Sequence, residues 1–293
     1  MDAFDLVPTK EISCLDKGFV KLIDVMPRII PDGQTCDYAV AQMARVSYGD
    51  GTKSINEDKG LIRYLMRHSH TSPFEGVVFK FHMKLPVFVA RQMIRHRSSS
   101  LNEISGRYSV MKDEFYFPSP DEIRQQSKTN KQGGTEPLDT DIAKEFCDKI
   151  KQDAYDCYAV YLKMLDAGVA REQARMILPL NLYTEWYWKQ DLHNLLHLLA
   201  LRSDSHAQKE IRVYADAIIQ LISPLVPWTI EAWNDYHTMR DALKLSSLEV
   251  EALSDFINQN AWQLKIPQIA SDNKREQSEW REKAIDLGFN EQV

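Results

Sequence analysis

Apolar and polar residues alternate along 75–85 (EGVVFKFHMKL). Val77, Phe79, Phe81, Met83 and Leu85 fall on one face, and Val78, Lys80, His82 and Lys84 on the other. A two-residue period predicts a half-buried strand. Strands are also expected over 19–28 and over the aromatic stretch 181–188. Helical spacing predicts helices over 36–47, 56–68, 86–96, 140–166, 170–177, 191–202 and 207–224. In 140–166, Ile142, Phe146, Ile150, Ala154, Tyr158 and Leu162 recur every fourth residue, and Gly168 suits the C-cap. Pro73 breaks the helix before it, and Pro86 opens the next one, where a missing N–H costs little. Residues 102–117 read as extended, and the polar, glycine-bearing 123–139 as a surface loop. After Trp233 the texture changes. The chain is expected to divide into a main domain, 1–237, and a charged, partly helical C-terminal extension, 238–293, with helical patches near 246–259 and 274–286.

Composition narrows the class. With 293 residues, 44% hydrophobic and 27% charged, the chain resembles an ordinary globular protein with a sizeable core. A net charge of -6 argues against a general nucleic-acid binder, whose footprint is usually basic. Cys14, Cys36, Cys147 and Cys157 form no Cys-x-x-Cys pair, which points to a reducing compartment. The start, MDAFDLVPTK, lacks an apolar signal core, and no apolar run approaches the roughly 20 residues that span a bilayer. A cytoplasmic protein with no membrane partner is the expectation.

Against this acidic background one segment stands apart. Residues 91–109 (RQMIRHRSSSLNEISGRYS) carry four arginines, one histidine and one acid. Gln92 and Arg95 share a helix face, while Glu103, Ser105 and Arg107 would share a strand face. Gly106 lets backbone approach a ligand closely. Arginines whose sole local counter-ion is Glu103 favour an anionic ligand such as a phosphate, with Glu103 and backbone reading a polar heterocycle. A solvated charged face with salt bridges is the bland alternative. An RNA- or nucleotide-binding protein without catalysis is a second reading. A hydrolase using Ser105 is a third, but no general base or glycine-rich phosphate loop accompanies that serine.

The stretch from Arg95-His96-Arg97 through Asn102-Glu103-Ile104-Ser105-Gly106-Arg107-Tyr108-Ser109 resembles the signature of the flavin-dependent thymidylate synthases. Other segments resemble the family in the same order: His70 to Glu75, Arg171 to Arg175, Leu178 to Thr184, Leu201-Arg202, and Ser205 to Gln208. The resemblance runs from about Val20 to Trp233. It implies an α/β (α+β) fold, with an antiparallel sheet flanked by several helices. It also implies methylation of dUMP with methylenetetrahydrofolate as carbon donor, FAD as cofactor and NADPH as its usual reductant. A homotetramer with active sites shared between subunits is the implied assembly.

The resemblance also assigns roles. Arg202 would be catalytic, a fixed cation against the uracil that favours its ionised form. Gln92, Met93, Ile94, Arg95, Glu103, Ile104, Ser105, Gly106, Arg107 and Arg175 would bind dUMP with it. Ser72, Arg95, His96, Arg97, Glu103, Asp191, Leu192, His193 and His197 would bind FAD. The sequence departs from the family at Asp191, where asparagine is frequent, and at His197. Without the family, Arg202 reads as a helix C-terminal cation, and Arg175 as a partner of Glu172 or Glu185. His193 and His197, four apart, would also suit zinc with His206 or His70. Their motif lacks a metalloprotease glutamate, and no metal is expected. A histidine phosphatase is excluded because Arg97, not glycine, follows Arg95-His96. No cysteine lies in the arginine-rich segments, so a thiolate attack on uracil is not expected.

Overall fold

The computed structural model describes residues 1–46, 55–128, 133–238, 247–259, 266–269, 272, 274–287 and 289. The chain forms two compact units, Met1–Thr238 and Met239–Val293.

A five-stranded antiparallel sheet organises the first unit. Its strands are β1 (Glu11–Cys14), β2 (Gly18–Met26), β3 (Val78–Pro86), β4 (Ser100–Glu103) and β7 (Tyr183–Asp191), in the order β1-β2-β3-β7-β4. β3 and β7 pair along their whole length, with Phe81 opposite Trp188 and Met83 opposite Trp186. Residues opposite one another share a face, so these rings bury together. Phe79, Phe81, Met83 and Leu85 are fully buried, as their alternation predicted. Helices α6 (Leu192–Arg202) and α7 (Lys209–Ile222) close that face, burying Leu192, Leu195, Leu199, Ile211, Ile218 and Ile222 in one core. α1 (Asp37–Arg45), α2 (Ile55–Arg67), α3 (Val87–Met93) and α8 (Pro227–Trp233) contribute to the same core.

A smaller core joins α4 (Thr140–Asp166) and α5 (Arg171–Ala174) to the stretch around Met111 and Phe115. Tyr161 Oη accepts from the Met111 N–H at 3.1 Å, and Tyr158 Oη donates to the Met111 carbonyl at 2.9 Å.

Several expectations need correction. Residues 102–117 are not one extended run; β4 stops at Glu103. The Ser105 carbonyl then accepts from the N–H groups of Tyr108 (3.1 Å) and Ser109 (3.0 Å), and Ser105 Oγ accepts from the Arg107 N–H (3.2 Å). A serine that offers its own oxygens to the following amides turns the chain. Glu103, Ser105 and Arg107 therefore share no strand face. The loop at 123–139 contains a two-stranded ribbon, β5 (Arg124–Gln126) with β6 (Gly134–Pro137); residues 129–132 lie outside the described ones. Helix 170–177 is a short α5 followed by a 3-10 turn, Arg175–Ile177. β1 and α8 were not expected.

The apolar stripe of α4 is the largest departure. Of its six residues Ala154 alone is buried, while Ile142, Phe146, Ile150 and Leu162 are exposed. The helix instead turns Ala143, Ala154 and Tyr161 inward. The second unit carries α9 (Ser247–Gln259) and α10 (Lys274–Asp286), joined where Ser254 Oγ donates to the Leu287 carbonyl at 3.4 Å.

Candidate functional site

Two strand-to-helix junctions build the first part of the site. β3 runs through Pro86 into α3, which ends at Met93 and delivers His96. β7 runs into Asp191, whose carboxylate accepts from the Asn194 N–H at 2.9 Å and caps α6. That cap is the ordinary way to satisfy a helix's first free amides. α6 then ends in Arg202. β3 and β7 are antiparallel, so α3 leaves from the Pro86 end of the pair and α6 from the opposite, Asp191 end; it is the last residue of α6 that reaches the segment after α3. Arg202 Nε donates to His96 Nε2 at 3.2 Å. The His197 ring lies 6.0 Å from that of His96, edge-on. Gln92 Nε2 donates to Gln208 Oε1, the residue before α7.

The electrostatics of this corner are one-sided. Burial pushes His96 down to about 4, and the neighbouring Arg202 and His197 add to the effect. Burial also lowers Arg202 from its usual value, yet a guanidinium remains charged at any working pH. His96 is therefore neutral. Its Nε2 accepts, which leaves its proton on Nδ1.

Beside this corner a cavity of about 140 Å³ opens between α2, the turn at 71–74 and α6. Leu65, Met66, Phe74, Leu196, Ala200 and Trp233 supply apolar walls, and Ser69, Thr71, His193 and His197 supply polar ones. Mostly apolar walls with a few polar groups suit a heteroaromatic ring. Ser72 is exposed next to Thr71. Leu192 and Met93 have their side chains in the core, so their backbone alone is left for a ligand.

The second part lies around the turn after β4. A Cβ on Gly106 would come within 3.2 Å of Arg175 Cδ and 3.1 Å of Met111 Sδ, so Arg175 lies across the Gly106 backbone. Arg107 Nε donates to Glu172 Oε2 at 3.2 Å. Proximity along the chain makes Glu103 the nearest counter-ion of Arg107, but the fold does not. Glu103 instead accepts from Thr184 Oγ1 on β7, because β4 ends there and sets the two side by side. Arg95, Arg97, Arg175 and Arg202 make no ion pair among the described residues. Ile94, Arg95, Arg97, Ile104 and Arg107 are exposed. Ser105 Oγ accepts from a backbone amide, and among the described residues no base is bonded to it. His206 bonds Asp204 at 2.9 Å and does not join His193 and His197.

The sequence match spans both parts. A family model described as thymidylate synthase complementing protein matches residues 23–228. The chain is 52% identical over 273 residues to a flavin-dependent thymidylate synthase of Dictyostelium discoideum, covering 93% of this chain and 86% of that protein. This chain belongs to the flavin-dependent thymidylate synthase family. A family member from Thermus thermophilus is 49% identical over 264 residues, which cover 90% of this chain and 92% of the other. A crystal structure of a UMP/dUMP methylase from Streptomyces cacaoi, bound with 5-Br dUMP, superposes with a TM-score of 0.67 at 31% identity; it covers 78% of this chain and 99% of that one. The family's antiparallel sheet with flanking helices is the fold described above.

Four site residues escaped the roles assigned from sequence: Thr184, Gln208, Glu172 and Trp233. The first three stand inside segments that matched the family, but a linear reading does not show which side chains they meet: Glu172, expected with Glu185 as a partner of Arg175, pairs with Arg107, and Glu185 pairs with His82. Trp233 has the look of an ordinary core aromatic.

Proposed function

We propose that the chain converts dUMP to dTMP by reductive methylation, with methylenetetrahydrofolate as carbon donor. FAD, when bound and reduced, supplies the hydride that turns the transferred methylene carbon into a methyl group, and NADPH regenerates it. The observation that carries this reading is Arg202. It is a half-buried cation with its Nε engaged by a neutral histidine and, among the described residues, no ion-pair partner. Such a cation stabilises negative charge developing on a uracil ring and raises electron density at the carbon to be methylated.

The remaining residues fit around it. The cavity lined by His193 and His197 suits the flavin ring system, and Arg95 and Arg97, free of ion pairs among the described residues, suit its pyrophosphate. Arg107, Arg175 and the backbone at Gly106 hold the dUMP phosphate, and Gln92 and Glu103 contact the nucleotide. The two buried cysteines offer no competing route. Cys14 and Cys36 are buried, and their thiols are pushed up to about 12 by that burial. A thiol so raised gives almost no thiolate near neutrality.

Residues 1–237 form the catalytic part, and 238–293 an extension to it. The active enzyme is a homotetramer whose exposed α4 stripe meets another copy, and whose sites draw on several copies. Four free cysteines fit a reducing cytoplasm. Among the described residues no helix is long and apolar enough to cross a membrane.

The test is direct. Protein reconstituted with FAD should show an oxidised-flavin band that dUMP perturbs, and should form dTMP from dUMP, methylenetetrahydrofolate and NADPH. Arg202→Ala should slow that reaction by about 100- to 1,000-fold, as loss of one electrostatic stabiliser does elsewhere. Protein that takes up no FAD defeats the proposal. Near-normal dTMP formation by the variant defeats the role of Arg202.

A further inference from the structure

We propose that His96 is the positioning residue of Arg202: its Nε2 accepts the Arg202 Nε–H and leaves the two NH2 groups free for the uracil. This inference rests on Arg202 acting on the base. It goes beyond the role the family resemblance gave His96, which was contact with FAD.

The argument starts from Arg202's place in the fold. An arginine at the last position of a helix has the helix's own carbonyls as its nearest acceptors. Arg202 turns away from them and bonds across to a different segment at 3.2 Å. A carboxylate there would form an ion pair and offset the cation's charge. A neutral imidazole offers one lone pair and no charge, so it fixes direction and leaves the full positive charge for a ligand.

The backbone that carries the imidazole is held: the His96 main-chain N–H donates to the Met93 carbonyl at 3.1 Å, and Ser99 Oγ donates to the His96 main-chain carbonyl at 3.2 Å. His197 lies edge-on to its ring. Among the described residues the charged and titratable groups that face it are Arg202 and His197, both from α6. Burial first, and then both neighbours, disfavour a proton on His96, so the accepting form holds near neutral pH. Residues that orient a reacting group through a hydrogen bond commonly decide how well it performs.

The test uses full-length, FAD-loaded protein and three variants. His96→Leu removes the acceptor. His96→Gln places an amide oxygen near the position of Nε2 and keeps one. Arg202→Ala reports on the underlying reading. FAD content, the flavin absorbance change on adding dUMP, and kcat and KM for dUMP are measured for each. His96→Leu should lower kcat by about 100-fold, with FAD content unchanged and KM for dUMP shifted far less. His96→Gln should recover most of the loss. A near-normal kcat in His96→Leu overturns the inference. So does equal loss in the Leu and Gln variants, or loss of FAD in both, which would return His96 to the flavin. If Arg202→Ala is slow while His96→Leu is normal, the inference alone falls. If Arg202→Ala is itself near normal, the reading beneath it falls as well.

Discussion

Arg107 and Glu172 face each other across 3.2 Å, tying the turn after β4 to α5, and both side chains are more than half exposed. An exposed pair of this kind adds little to stability, typically below about 1 kcal/mol. Its meaning is competitive: in the free chain Glu172 occupies a cation proposed for phosphate. Glu172→Gln should leave the thermal midpoint almost unchanged, with stability altered by less than about 0.5 kcal/mol. The same variant should hold or lower KM for dUMP, while Arg107→Ala should raise it about tenfold, the equivalent of ~1.4 kcal/mol. A rise in KM for Glu172→Gln would show that the pair holds Arg107 in place for the phosphate.

Gly106 sits where no side chain fits without displacement. A methyl at this position would press on Arg175 Cδ at 3.2 Å and Met111 Sδ at 3.1 Å. Met111 belongs to the small core and gives way poorly, so the flexible Arg175 should move. Gly106→Ala should therefore weaken dUMP binding about tenfold while the protein still folds and takes up FAD. Titration of the flavin band with dUMP measures the affinity. Wild-type affinity would mean that Arg175 does not need its place over the Gly106 backbone.

How far this site could be read in the chain itself depends on distance along it. The alternation at 77–85 is a local property, and β3 follows from it directly. β1 has only four residues at a sheet edge, too few for a period to register. The turn at Ser105 escapes a hydropathy reading because the serine's hydrogen bonds set the backbone. Gln92 and Arg95, Arg107 and Arg175 are recognisable as ligand-holding residue types. That Arg202 meets His96, 106 positions earlier, is not legible, because it depends on where the far end of α6 comes to lie against the segment after α3. The α4 stripe is legible as apolar, but its exposure reflects surface that this single chain does not cover.

Asp37 offers a stability test away from the chemistry. It is fully buried, and its carboxylate accepts from the Trp228 N–H (2.8 Å), the Thr229 N–H (3.1 Å) and Thr229 Oγ1 (2.6 Å), capping α8 after Pro227. α8 ends in Trp233, a wall of the cavity. Burial pushes Asp37 up to about 6 from 3.8, against the pull of those hydrogen bonds. The folded chain thus holds this proton more tightly than the unfolded one. On this account stability is highest below the ordinary value and falls as pH rises toward 6, by an amount on the order of 3 kcal/mol. Asp37→Asn cannot titrate, so chemical denaturation should find that slope reduced. At pH 7 the variant should be less stable by about 1–3 kcal/mol, since an amide NH2 faces helix amides that need an acceptor. An unchanged slope would place the titration elsewhere.

The exposed side of α4 supports the last prediction. Phe146, Ile142 and Ile150 stand on it, with 49%, 45% and 38% of their surfaces open, and Met176, Leu180 and Tyr108 are also exposed. A monomer seldom presents so much apolar surface, whereas a symmetric oligomer buries it. The helix contributes Ala154 and Tyr161 to the small core beneath, so a change at Phe146 leaves that core intact. Phe146→Glu should therefore keep the fold, judged by circular dichroism, but move the protein from the proposed tetramer to smaller species in light scattering. If sites are shared between copies, dTMP formation should fall with the tetramer population and recover as protein concentration rises. A variant that stays tetrameric and active would show that this helix face is not the contact. One that dissociates yet keeps full activity would show that each chain carries a whole site.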